Sequence, residues 1–78
     1  MLITVFFYGV LAEVAGTRVK TYQGVSSFGD LSLRIMDDFP EIVHYNYRYC
    51  HNKVVMVDGE AVLADGDEVA LLPPFYGG

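Results

Sequence analysis

The sequence is poor in cysteine and contains no long hydrophobic run. Cys50 is the single cysteine among 78 residues, so an internal disulfide is impossible and secretion is not indicated. No apolar stretch approaches the roughly 18 residues that a membrane helix needs. The opening residues 1–7 carry neither a basic segment nor a cleavage site, so they do not form a signal peptide. These absences predict a cytoplasmic protein.

Basic residues are also scarce. The chain has five Lys and Arg residues against ten Asp and Glu residues, which gives a formal net charge of −5. A protein that binds nucleic acid needs a basic stripe to neutralise phosphates, and this sequence has none. The net charge fits a protein partner with a basic surface, and it also favours solubility.

The residue types of metal and catalytic sites are present, but not in the required patterns. His44 and His51 lack the paired spacing of zinc ligands, and the acidic run 65–68 is too short for a calcium loop. Cys50, in the middle of an expected strand, is interpreted as a small buried hydrophobic residue. No glycine-rich loop with a lysine is available to hold ATP. The sequence therefore predicts no metal and no cofactor bound by this chain, so any ATP would be bound by a partner.

The composition favours one folded domain, since 53% of the residues are hydrophobic. Residues 2–8 are rich in β-branched and aromatic side chains and predict a strand. Both alternating sets in this strand are largely apolar, so the strand either lies in the centre of a sheet or faces a partner. Residues 9–15 have helical spacing that Gly16 closes, and residues 17–23 predict a second strand in a hairpin with the first.

One main helix is predicted after the hairpin. Ser27 and Asp30 approximate a capping box, and the apolar stripe Phe28, Leu31, Ile35 and Phe39 continues until Pro40 ends the helix. Further strands are predicted over 47–51 and 68–72, and residues 54–57 are predicted to be a strand or extended chain. Turns are predicted at 52–53, 58–59 and 64–67, with a short apolar segment at 61–63. The order predicts an α+β fold, a mixed sheet of four to five strands with one main helix packed across it.

The chain ends in a proline stop and two glycines. Because proline has no N–H to donate, strand pairing should end at Leu72. We therefore predict a domain over residues 1–72 and an extended C-terminal arm over residues 73–78. The arm could reach about 20 Å from the last strand. Gly77 and Gly78 would let its backbone lie close to catalytic groups, but an ionised carboxylate must be activated before a nucleophile can attack it.

Two segments carry a family resemblance. The run DGDEVALLPPFYGG, at the end of the chain, and ITVFFYGVLAEVAG, near its start, resemble the small subunits of molybdopterin synthase, which are ubiquitin-like sulfur carriers. That family has a small residue before the glycine pair, whereas this chain has Tyr76. The resemblance implies the β-grasp topology, in which the last strand lies beside the first.

The resemblance also implies a function for the arm. An adenylating enzyme would activate Gly78 with ATP, and a sulfur donor would convert it to a thiocarboxylate. The loaded arm would then enter the large synthase subunit, which supplies the catalytic side chains, and give sulfur to a pterin precursor to build the dithiolene of molybdopterin. Two small and two large subunits would form a heterotetramer. In this scheme Gly78 would carry the sulfur, and Gly77 would let the arm thread into the partner. Pro73 and Pro74 would hold the arm extended, while Phe75 and Tyr76 would line its path. Phe7 and Leu72 would dock on the partner.

Three alternatives stay open. A sulfur carrier of the thiamine type would share the fold and the terminal glycines, although such carriers usually lack the two prolines before the arm. A ubiquitin-like modifier would instead join Gly78 to lysines of other proteins. A small interaction module with an inert end would lose nothing when Gly77 and Gly78 are deleted.

Overall fold

The computed structural model describes residues 1–56 and 62–74. Its elements, in chain order, are β1 (Ile3–Phe7), α1 (Val10–Ala15), β2 (Val19–Tyr22), α2 (Phe28–Asp38), a 3-10 helix (Pro40–His44), β3 (Arg48–His51), β4 (Val54–Val55) and β5 (Glu68–Leu72). Among the described residues, no helix is long and apolar enough to cross a membrane.

The strands form one five-stranded sheet in the order β2-β1-β5-β3-β4. Strands β1 and β5 are parallel, and every other neighbouring pair is antiparallel. The final strand therefore lies at the centre of the sheet beside the first, which confirms the expected topology. Because β5 pairs with β1 on one side and with β3 on the other, it joins the β1–β2 hairpin to the β3–β4 hairpin.

The segment between β1 and β2 has the predicted short helix. Gly16 ends α1 in the left-handed conformation, with φ at 71°, and its N–H donates to the carbonyl of Ala12 at 2.9 Å. Glycine adopts this conformation without the steric cost that a Cβ would add. The β1–β2 hairpin is confirmed, although β2 is shorter than the predicted 17–23.

The predicted N-terminus of α2 is confirmed, with one difference in its hydrogen bonds. The Ser27 hydroxyl accepts from the backbone N–H of Asp30 at 3.0 Å, as an N-cap should. The Asp30 carboxylate accepts from the N–H of Ser26, also at 3.0 Å, rather than from that of Ser27. Phe39 is the C-cap and Pro40 begins the 3-10 helix, so α2 ends where the proline was expected to end it.

Asp38 occupies an unfavourable place at the negative end of the α2 dipole. The strand β2 compensates, because the ammonium of Lys20 lies 2.7 Å from the Asp38 carboxylate and the Tyr22 hydroxyl donates to it at 2.8 Å. These hydrogen bonds hold the pKa of Asp38 below its usual value, the Lys20 bond contributing most. The end of α2 is thereby attached to the sheet.

The core lies between the sheet and α2. Its buried residues come from every layer of the fold: Ile3, Val5, Phe7, Leu11, Tyr22, Val25, Phe28, Leu31, Ile35, Ile42, Leu63, Val69 and Leu71. The predicted apolar stripe of α2 supplies three of these residues, and Phe39 packs against them partly buried.

The β3–β4 hairpin turns at Asn52 and Lys53, as predicted, and both residues have positive φ, 48° and 71°. Strand β4 covers Val54–Val55 of the predicted 54–57. The expected turn at 58–59 lies outside the described residues, as does the start of the 61–63 segment. Leu63 is buried without belonging to a strand.

Candidate functional site

The exit of β5 defines the start of the C-terminal arm. The last ladder pair joins Leu72 to Arg48 of β3, and no strand continues through Pro73 and Pro74. The predicted end of pairing at Leu72 is confirmed. The remaining candidate residues, Phe75, Tyr76, Gly77 and Gly78, lie outside the described residues, so their roles stay predictions.

An apolar row crosses the face of the sheet that is turned away from α2. Strand register aligns Val19 with Phe6, Phe6 with Ala70, Ala70 with Cys50, and Cys50 with Val55. None of the described elements covers this row, since Val19 is 46% exposed and Val55 is 41% exposed. A small domain rarely leaves a contiguous apolar surface open to water unless something binds there.

The middle of this row forms the floor of an open groove of about 380 Å³. We call its lining residues the docking face: Phe6, Tyr8, Cys50, Lys53, Glu68, Ala70 and Leu72. Leu72 is the last residue of β5, so the docking face and the arm belong to the same strand. The predicted docking role of Leu72 stays a prediction, and its half-buried position on this face is compatible with it.

Phe7 does not lie on the docking face, which corrects its predicted role as a partner contact. Only 2% of Phe7 is exposed, and its ring packs edge-on against Phe39 with centroids 5.2 Å apart. The register places Phe7 beside the core residue Leu71, whereas the preceding residue Phe6 lies beside Ala70 on the open face. Because successive side chains of a strand point to opposite faces, Phe6 rather than Phe7 lies on this face.

Cys50 also differs from its prediction. It is half-buried on the docking face rather than part of the core. The alternation of β3 explains this, because the neighbouring Tyr49 points inward and packs against Phe28 with ring centroids 4.8 Å apart. Burial raises the pKa of the Tyr49 hydroxyl.

The histidines and the acidic turn do not form a metal site within the part of the chain that the structure describes, where no group of three or more potential ligands is found. The ring Nε2 of His51 lies 2.7 Å from the Asp67 carboxylate, which also accepts from the backbone N–H of Ala64 at 2.8 Å. The His51 hydrogen bond is the main reason that the pKa of Asp67 is lowered to about 2. No spacing rule indicated this contact, since it depends on how β3 and β5 align.

The turn before β5 fixes the start of that strand. The backbone N–H of Leu2 donates to Asp65 Oδ1 at 2.6 Å, and the N–H of Gly66 donates to the Leu2 carbonyl at 2.8 Å. The Asp67 carbonyl accepts from Thr4 at 3.1 Å. With the His51 contact, these bonds attach the turn to both the β1 side and the β3 side of the sheet, and they fix the position at which β5 begins.

A mixed sheet with parallel first and last strands, crossed by one main helix, defines the ubiquitin-like proteins of the β-grasp fold. Solved structures agree. The protein SAMP1 from Haloferax volcanii is 27% identical, with a TM-score of 0.77 and 100% of both chains covered. The complex of subunits 1 and 2 of molybdopterin-converting factor from Helicobacter pylori contains a chain that is 21% identical, with a TM-score of 0.75 and 100% of both chains covered.

A further structure of this fold is a putative molybdopterin converting factor subunit 1 from Pyrococcus furiosus. It is 19% identical, with a TM-score of 0.80, and the alignment covers 95% of this chain and 98% of that one. No curated protein has a matching sequence. The model of the ThiS family matches residues 5–78, and the chain therefore belongs to this family of ubiquitin-like sulfur carriers.

Proposed function

We propose that this chain is the small subunit of a molybdopterin synthase and acts in the cytoplasm. Gly78 would carry sulfur as a thiocarboxylate and deliver it to a pterin precursor held by the large subunit. An adenylating enzyme and a sulfur donor would reload the arm after each transfer. The arrangement expected is a heterotetramer of two small and two large subunits.

The observation that carries the proposal is the continuity between the docking face and the arm. Strand β5 presents Ala70 and Leu72 on the docking face, and Pro73 follows with no linker. A partner bound to this face would therefore receive the arm at a fixed distance and direction. Proline restricts the backbone of the residue before it as well as its own, so Pro73 and Pro74 favour an extended start to the arm.

The chemistry requires partners at each step. The Gly78 carboxylate, ionised at neutral pH, attacks the α-phosphate of ATP, and pyrophosphate leaves. A sulfur nucleophile at the oxidation level of sulfide then replaces AMP at the acyl carbon. In the large subunit this sulfur would attack a carbon of the pterin precursor and displace an oxygen substituent, which leaves with its electron pair. Water would then cleave the acyl–sulfur bond, leaving the sulfur on the precursor and restoring the carboxylate. The small subunit is thus a co-substrate that is consumed and regenerated.

Mass spectrometry of the untagged protein tests the carrier function. The protein is incubated with ATP, the adenylating enzyme and a sulfide source, and the thiocarboxylate is trapped by alkylation. The expected label lies in the C-terminal peptide, separate from Cys50, and is absent from a variant that lacks Gly78. A plain carboxylate under these conditions would refute sulfur loading.

A protein modifier is the second candidate function. The chain is 27% identical over its full length to SAMP1, a small archaeal modifier protein. A modifier would leave Gly78 in an isopeptide bond to lysines of other proteins, and such conjugates would be found by mass spectrometry of cell extracts.

Deletion of the gene separates the pathways: loss of molybdenum-cofactor enzymes supports the proposal, whereas a thiamine requirement supports the thiamine-type carrier.

A further inference from the structure

The basic residues of the chain fall into two groups. Lys20 and Arg34 form ion pairs within the domain, with Asp38 at 2.7 Å and with Asp30 at 3.2 Å. Arg18, Arg48 and Lys53 have no carboxylate at ion-pair distance among the described residues, and all three are exposed. Two of these three residues, Arg48 and Lys53, lie along the same side of the docking face.

Their positions follow from the sheet. Arg48 lies opposite Leu72 in the ladder, so it flanks the last paired residue before the arm. Lys53, in the β3–β4 turn, lines the groove at the other end of β3. Glu68 lines this groove too, and it forms no ion pair with Lys53. We call Arg48 and Lys53 the cationic margin, which runs beside the apolar floor on the β3–β4 side.

The turn itself does not account for Lys53. Its φ of 71° is left-handed, and glycine adopts this conformation at lower steric cost than lysine. The backbone conformation of the turn therefore favours glycine and gives no reason for a lysine at this position. Its ammonium is instead available to a molecule bound in the groove.

We infer that the partner of the docking face presents carboxylates opposite Arg48 and Lys53, around an apolar patch that covers Phe6, Ala70 and Leu72. This rests on the proposed function, in which a partner binds that face. The positive charge of the cationic margin is then opposite in sign to the net charge of the chain, −5. The net charge alone would suggest a basic partner. Exposed charges at the edge of an interface act mainly on the association rate and its salt dependence.

Stopped-flow association with the large synthase subunit, the occupant to which the inference commits, tests it. The double variant Arg48→Glu and Lys53→Glu should associate about tenfold or more slowly at low ionic strength, with a weaker dependence on salt. Val43→Glu, on the 3-10 helix and 59% exposed, adds negative charge away from the docking face and should bind as the wild type does. Lys53→Gly should raise the melting temperature by a few degrees and still slow association.

The outcomes separate the two proposals. If the wild type binds and the double variant associates at the same rate with the same salt dependence, the inference is wrong, while sulfur loading of Gly78 still supports the proposed function. If the wild type does not bind the large subunit, the proposed function and the inference fail together. Faster association of the double variant would indicate a basic partner and would also overturn the inference.

Discussion

Phe6 and Phe7 provide the sharpest test of the assignment of the two faces of the sheet. They are adjacent in β1, yet Phe7 is 2% exposed in the core and Phe6 lines the open groove. Replacing either residue with alanine removes the same atoms. The structure therefore predicts two different defects, a loss of stability for Phe7→Ala and a loss of partner binding for Phe6→Ala.

The magnitude for Phe7 follows from its burial. Truncating a buried phenylalanine to alanine costs about 3–5 kcal/mol, because transfer free energy is lost and a cavity remains. A domain of this length has a free energy of unfolding of roughly 4–12 kcal/mol, so Phe7→Ala should remove at least about a quarter of it and could unfold a domain at the low end of this range. Phe7→Leu keeps more of the volume and should cost about 1–2 kcal/mol. Phe6→Ala, half-exposed, should cost about 1 kcal/mol or less.

Urea unfolding followed by far-ultraviolet circular dichroism measures these differences, and association with the large subunit measures docking. Phe7→Leu should unfold at lower urea and, while folded, bind its partner normally. Phe6→Ala should keep nearly the wild-type midpoint and bind at least about tenfold more weakly. Equal destabilisation by Phe7→Ala and Phe6→Ala, or normal binding by Phe6→Ala, would refute the assignment of the faces.

Three further predictions concern stability. Gly16→Ala should lower the melting temperature by about 4–8 °C, measured by calorimetry, because a left-handed residue with a Cβ costs about 1 kcal/mol although its surroundings are open. Tyr22→Phe removes the 2.8 Å hydrogen bond to Asp38 and should lower the free energy of unfolding in urea by about 1 kcal/mol. The pKa of Asp67 is lowered from 3.8 to about 2, so its contribution to stability is complete above pH 4 and is lost as the pH falls towards 2. In acid titrations over that range, the free energy of unfolding of Asp67→Asn should therefore fall less than that of the wild type. An equal fall in the two proteins would contradict the His51 contact.

Local signals in the sequence predicted the elements well. Ser27, Gly16 and Pro40 act through backbone chemistry within a few residues, so they located the ends of both α-helices. The prolines after Leu72 ended β5 in the same way. The β-grasp topology followed from the family resemblance, because periodicity does not say which strands are neighbours.

The two faces of β1 could not be assigned from the sequence. Strand β1 is apolar on both sides, so alternation separates Phe6 from Phe7 without showing which of them is covered by α2. That depends on the register with β5, a contact between distant parts of the chain. The contact between His51 and Asp67 was missed for the same reason, since 16 positions separate the two residues.

The central position of β5 also has a consequence for synthesis on the ribosome. The strand is made last among the described elements, yet β1 and β3 both depend on it as a neighbour. A nascent chain cannot complete its sheet before residues 68–72 have emerged, and pairing between such distant segments is intrinsically slow. Translation that stops early would leave two separate hairpins and no arm. A partner that recognises the completed sheet would therefore select full-length molecules without a separate proofreading step.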